Sequence, residues 1–107
     1  MRAQRAIAIA TLLIGGHAAW AAGGIIVDQI GQKFSLSALT AKRGDIVQFV
    51  NHDDTTHNIN LIDADDIAAD QGLQKPGETI RVVLDRNGRF TVRCAIHPRM
   101  KLAVTVQ

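Results

Sequence analysis

Cys94-Ala95-Ile96-His97-Pro98-Arg99-Met100 places a thiol, an imidazole and a thioether at Cys-x-x-His-x-x-Met spacing. Cys94 is the only cysteine of the chain. Thiolate, imidazole and thioether are the soft ligands that suit copper. Loop residues three apart can turn their side chains to a common point. A fourth ligand has to come from elsewhere, and His57 is the candidate, with His52 competing five residues earlier. Taken singly, each residue has a plainer role. A lone buried cysteine is a small core hydrophobe, His97 could fix a turn before Pro98, and Met100 could fill the core. All three at one spacing point to a single cause, a copper site.

The strands that would position these residues can be traced by alternation. Gly24 to Ile30 is apolar and β-branched, and Lys33 to Leu36 follows the Gly31-Gln32 turn with Phe34 as its large residue. Ala38 to Ala41 is a weaker strand, Lys42 to Asp45 a turn, and Ile46 to Asn51 sets Val47 and Phe49 on one face. His52 to Thr56 reads as a polar loop, in which Asn51, Asp53 and Asp54 around His52 suggest solvation. His57, Ile59 and Leu61 share a face. Asp63 to Asp70, with Ala64, Ile67, Ala68 and Ala69 among acids, reads as one short helix. After the Lys75-Pro76-Gly77-Glu78 turn, Thr79 to Asp85 turns Ile80, Val82 and Leu84 one way. Asn87-Gly88 carries a hairpin signal to Arg89–Cys94, where Phe90, Val92 and Cys94 share a face. Leu102 to Gln107 sets Leu102, Val104 and Val106 inward.

Side chains alternate along a strand. Cys94 therefore continues the inward stripe of Phe90 and Val92, and His57 begins that of Ile59 and Leu61. Phase favours His57 over His52. Short strands separated by turn signals predict an all-β Greek-key sandwich.

The first residues read as a secretory signal peptide. Arg2 and Arg5 form a positive start, Ala6 to Ile14 is an uncharged apolar run, and Ala19-Trp20-Ala21 offers small residues for cleavage between Ala21 and Ala22. The run is short for a membrane span, which needs about 20 residues. The expected organisation is a signal peptide over 1–21 and one domain over 22–107, placed in the periplasm by a Sec-type route, with no stable membrane insertion once mature. The formal net charge is +2, and without Arg2 and Arg5 the ten remaining Lys and Arg balance the ten Asp and Glu. A nucleic-acid role driven by basic charge is therefore not suggested. A domain of about 86 residues buries a modest core, and with one cysteine a metal is the available staple.

The sequence resembles the cupredoxins, the small blue copper proteins, and within them the amicyanin and plastocyanin-like branch that includes methylamine-utilisation proteins. The resemblance covers nearly all of Gly24 to Gln107. It is carried by Arg43-Gly44-Asp45-Ile46-Val47, Phe49-Val50-Asn51, His57-Asn58, Pro76-Gly77, Gly88-Arg89-Phe90 and the Cys94–Met100 loop, which has the short amicyanin-like length. Phe90 stands where a tyrosine is common, and Arg99 where such loops carry an aromatic.

The resemblance implies one type 1 copper, with His57, Cys94 and His97 in a plane and Met100 as a weak axial ligand. It implies that Asn58 tethers the His57 strand to the Cys94 loop. The implied role is an electron carrier, not an enzyme, that cycles Cu(I)/Cu(II) as a monomer between redox proteins such as a dehydrogenase or c-type cytochrome. A periplasmic copper carrier or homeostasis protein could use the same ligands, but carriers tend to open Met- and His-rich surfaces, and this chain has few of either. A copper oxidase or nitrite reductase needs a second, open copper site, for which His52 is the only histidine to spare.

Overall fold

The computed structural model describes residues 24–107. The expected signal peptide lies outside the described residues. Eight strands follow in order: β1 Ile25–Gln29, β2 Ala38–Ala41, β3 Ile46–Asn51, β4 His57–Asp63, β5 Ala68–Gln74, β6 Thr79–Val83, β7 Gly88–Arg93 and β8 Lys101–Val106. They form a three-stranded sheet, β1-β3-β6, and a five-stranded sheet, β2-β8-β7-β4-β5. β1 runs parallel to β3 and β2 parallel to β8, and the other ladders are antiparallel. The two inner faces meet in one core. Val27, Val47, Phe49 and Val82 come from the smaller sheet, and Ile59, Val92, Leu102, Val104 and Val106 from the larger. The alternating stripes thus read correctly, and the architecture is the expected all-β sandwich.

Three local expectations are corrected. Lys33 to Leu36 is not a strand, since Phe34 makes only an isolated bridge to Gln29. Its ring packs edge-on against Phe49 with centroids 5.9 Å apart. Asn87-Gly88 does not close a hairpin, because β6 pairs with β3 in one sheet and β7 with β4 and β8 in the other. Gly88, at φ 133°, supplies the positive φ this turn needs for the chain to cross between sheets.

The acidic segment after β4 is not a helix. Asp63 turns the chain instead. Its Oδ1 accepts the amides of Asp65 and Ile67, both at 2.9 Å, and Asp66 takes a left-handed φ of 64°. The chain then returns as β5, an edge strand on β4. The Ile67 amide above all, with the Asp65 amide and the Arg86 guanidinium 3.7 Å away, holds the Asp63 carboxyl below its ordinary value of 3.8 against a partial loss of hydration. A carboxyl with a lowered folded pKa stabilises the fold above its unfolded pKa and loses that contribution as pH falls through the folded value. Between about pH 5 and about pH 2, Asp63→Asn should therefore lose less stability than the parent, read as the shift of the urea midpoint. Equal shifts in the two proteins would show that this turn is not acid-sensitive.

Candidate metal centre

The candidate ligands meet at one end of the sandwich because β4 starts there, β7 ends there and β8 starts there. His57 is the first residue of β4 and Cys94 follows β7; both are buried, at 0% and 1% exposure. Residues 94–100 link β7 to β8. The Met100 amide donates to the His97 carbonyl at 3.0 Å, closing a turn that keeps the loop short. Met100 itself is buried at 1%, directly before β8. His97 is half-buried, between exposed Ile96 and Pro98.

Three donor atoms converge. His57 Nδ1 and His97 Nδ1 lie 3.1 Å apart, and Cys94 Sγ lies 3.9 Å from the first and 3.7 Å from the second. The point equidistant from these three atoms is about 2.1 Å from each, within the ~2.0–2.3 Å that imidazole nitrogen and thiolate sulfur keep from a metal such as zinc. This trio is the one His, Cys, Asp or Glu cluster that could hold a metal among the described residues. A thiolate and two imidazoles fit copper, and buried Met100 offers a thioether on the same loop.

Hydrogen bonds fix the arrangement. The Asn58 amide donates to Cys94 Sγ at 3.3 Å, and Asn58 Oδ1 accepts the Ala95 amide at 3.0 Å. Asn58 Nδ2 donates to Asp70 Oδ1 and to the Gly72 carbonyl. One buried side chain thus joins β4, the β5 bend and the ligand loop.

Asp53 is the residue that sequence reasoning missed. Its side chain is 12% exposed, not solvated, and its Oδ2 accepts from His57 Nε2 at 2.7 Å. Its two oxygens also accept the Gly31 and Gln32 amides, at 2.6 and 2.9 Å. Burial raises the Asp53 pKa, but the bonds from His57, Gln32 and Gly31 outweigh it and leave the carboxyl below its ordinary value. An ionised carboxylate can only accept, so His57 carries its hydrogen on Nε2 and its Nδ1 lone pair faces Cys94. Neighbouring Asn51 is fully buried. Its Oδ1 accepts the Asp53 amide at 2.9 Å, and its Nδ2 donates to the Thr55 and Gln74 carbonyls. The signal available was Asp53 standing four residues before His57, too common a spacing to single out. His52 points elsewhere, with Nε2 2.7 Å from Asp28 Oδ1 in an exposed pair.

The family model of copper binding proteins of the plastocyanin/azurin family matches residues 23–107. The chain belongs to this family. Among its relatives within and around the family, the methylamine utilization protein MauL of Methylorubrum extorquens is 43% identical over 68 residues, covering 64% of this chain and 60% of MauL. A second MauL, from Methylophilus methylotrophus, is 32% identical over 65 residues, 59% of this chain and 37% of its own length. The chain thus spans less than two thirds of the MauL proteins it matches. Plastocyanin of Ulva arasakii is 33% identical over 84 residues, 69% of this chain and 86% of the plastocyanin. A solved variant of amicyanin in its oxidised state superposes with a TM-score of 0.72 at 26% identity, covering 81% of this chain and 85% of that one.

Proposed function

We propose that this chain holds one copper ion through His57, Cys94, His97 and Met100 and passes single electrons between redox proteins. The observation that carries the reading is the triangle of His57 Nδ1, Cys94 Sγ and His97 Nδ1, sized for a metal, with His57 and Cys94 at strand ends and His97 in the short loop between β7 and β8. Copper supplies a one-electron couple when bound. The chain's own residues supply the rest. His57 and Cys94 are held by strand ends, and Asn58 binds the ligand loop to β4 through the Ala95 amide. Asp53 keeps the hydrogen of His57 on Nε2. Burial of His57, Cys94 and Met100 excludes water from these donors. Donors fixed in this way move little when the charge of the site changes, which favours rapid electron exchange over bond-making catalysis. His97 is the least buried of the four and gives the electron its route to a partner.

The reading extends to export, with a signal peptide over 1–21 cleaved after Ala21 and a periplasmic domain over 22–107. The partners it implies are a dehydrogenase or a c-type cytochrome. The solved amicyanin structures include both a Cu(I) form and an oxidised state, which supports a carrier that persists in two redox states.

The test is a visible and electron-spin-resonance spectrum of the copper-loaded protein. The parent should show the intense thiolate-to-copper absorption, Cys94→Ser should abolish it, and His52→Ala should keep it. Colour surviving in Cys94→Ser would sink the ligand set, and colour lost in His52→Ala would move the second imidazole from His57 to His52.

A further inference from the structure

The core of the sandwich turns polar at the end that bears the ligand loop. β1 buries Ile25, Val27 and Gln29, and β3 buries Val47, Phe49 and Asn51. Gln29 and Asn51 are the last pair of that ladder. On the larger sheet Gln74 ends β5, directly opposite His57. Gln29, Asn51, Gln74 and His57 are each 0% exposed. Ile25 and Val27 fill the earlier inward positions of β1, and packing alone would put a third aliphatic side chain at 29.

Part of this polar row is hydrogen-bonded. Gln74 reaches across to β3 and to the turn before β6, where its Nε2 donates to the Phe49 and Glu78 carbonyls at 2.8 and 3.1 Å. Both neighbours are acceptors, so the nitrogen end of this amide faces them and Oε1 faces away. The Gln74 carbonyl accepts Asn51 Nδ2 at 3.2 Å, Asn51 Oδ1 accepts the Asp53 amide at 2.9 Å, and Asp53 Oδ2 accepts His57 Nε2 at 2.7 Å. The chain from Gln74 to His57 is unbroken. Beyond its inner end, Gln74 Oε1, Gln29 Oε1 and Gln29 Nε2 are buried with no protein partner among the described residues. Buried amides rarely go unbonded, because a stranded donor or acceptor costs the full desolvation of the group.

We infer that Gln29 and Gln74 hold an ordered water molecule between the two sheets, at the inner end of the chain that leads to His57. The balance of donors and acceptors selects water. Gln29 Nε2 needs an acceptor and the two Oε1 atoms need donors, and one water offers both. A cation would serve the oxygens and strand the nitrogen, and an anion would do the reverse. Either would also bury a charge among neutral amides, which is far less favourable than burying a water with several polar partners. The water links β1 to β5, strands of different sheets that share no ladder, and it does so at the end where the candidate ligands sit. This site stands independently of the electron-carrier reading.

The test is water-to-amide cross-relaxation in the 15N-labelled, reduced and copper-loaded protein. The Gln29 side-chain amide should show a water signal with the sign of a bound molecule that outlasts the tumbling of the protein. Gln29→Leu and Gln74→Leu, alone and together, supply a second measurement by urea unfolding. If one water serves both side chains, either substitution strands the bond of the other. The rise in the unfolding constant of the double variant should then fall short of the product of the single rises by about threefold or more. The inference is overturned if the Gln29 amide shows no such signal, or if it cross-relaxes with the Gln74 amide in place of water. It is equally overturned if the single effects simply multiply. The metal-free protein carries the same measurements, so a missing charge-transfer band would sink the carrier reading and leave the water signal untouched. A normal band with no bound water at Gln29 would sink the water site alone.

Discussion

Copper should raise the melting temperature of this protein by about 15–30 °C. A ligand present at a thousand times its dissociation constant stabilises the state it binds by about 4 kcal/mol, and each kcal/mol shifts the midpoint of a domain this size by roughly 4–8 °C. The physical cause is where the donors sit. His57 and Cys94 are 37 residues apart and reach 3.9 Å only when β4 and β7 are paired. An unfolded chain retains at most the local Cys94–His97–Met100 run, so the ion favours the folded state. Scanning the protein with copper and again with a chelator measures the gap. Cys94→Ser should close it and His52→Ala should leave it. Equal midpoints in copper and chelator would show that the metal does not bridge the two stretches.

Phe49→Ala should cost about 3–5 kcal/mol. Phe49 heads the largest fully buried side chains, at 2% exposure, on the middle strand of the smaller sheet, with Phe34 against its ring. Truncation removes apolar burial and leaves a space that neighbours on three strands, each fixed by its ladder, close poorly. A domain of this size has on the order of 5–15 kcal/mol of stability in all, so the variant should be studied with copper bound. Urea unfolding should show a lower midpoint at unchanged slope. Phe49→Leu, which keeps part of the volume, should lose distinctly less. A loss under about 1 kcal/mol for Phe49→Ala would mean the sheets collapse onto the vacancy.

Strands that bury one face were legible in the sequence, because alternation records which side meets the core. Phe90, Val92 and Cys94 form one such stripe, and its phase placed the thiol inward correctly. β5 had no such record. Ala68–Gln74 is exposed along most of its length, and it is a strand because β4 offers it a ladder, not because its own residues alternate. The same limit explains the turn at Asn87-Gly88. Local residues specify a reversal, but which sheet each arm joins is settled by distant partners.

Around the candidate site, residue type and spacing singled out Cys94, His97 and Met100, and strand phase was needed to choose His57 over His52; the donor atoms of His57, Cys94 and His97 do converge. Asn58 came from the family resemblance. Asp53 was hidden because its importance lies in three bonds to groups 4, 21 and 22 residues away. A polar loop sequence looks the same whether its carboxylate faces water or an imidazole.

The place of β8 in the larger sheet has a kinetic consequence. It lies between β2 and β7, and its ladder to β2 joins residues about 65 apart, Ala38 with Ala103. Closing so long a loop costs entropy before any contact returns it, and sheets dominated by distant pairings fold in milliseconds to seconds. Until β8 is synthesised, β2 lacks its partner and β7 has one open side. A growing chain therefore cannot finish the larger sheet from its first seven strands, and the half that holds Cys94 is assembled late. Refolding from urea should accordingly be limited by the arrival of this one strand, and substitutions that weaken β8 should slow refolding more than those that weaken the short β5 edge.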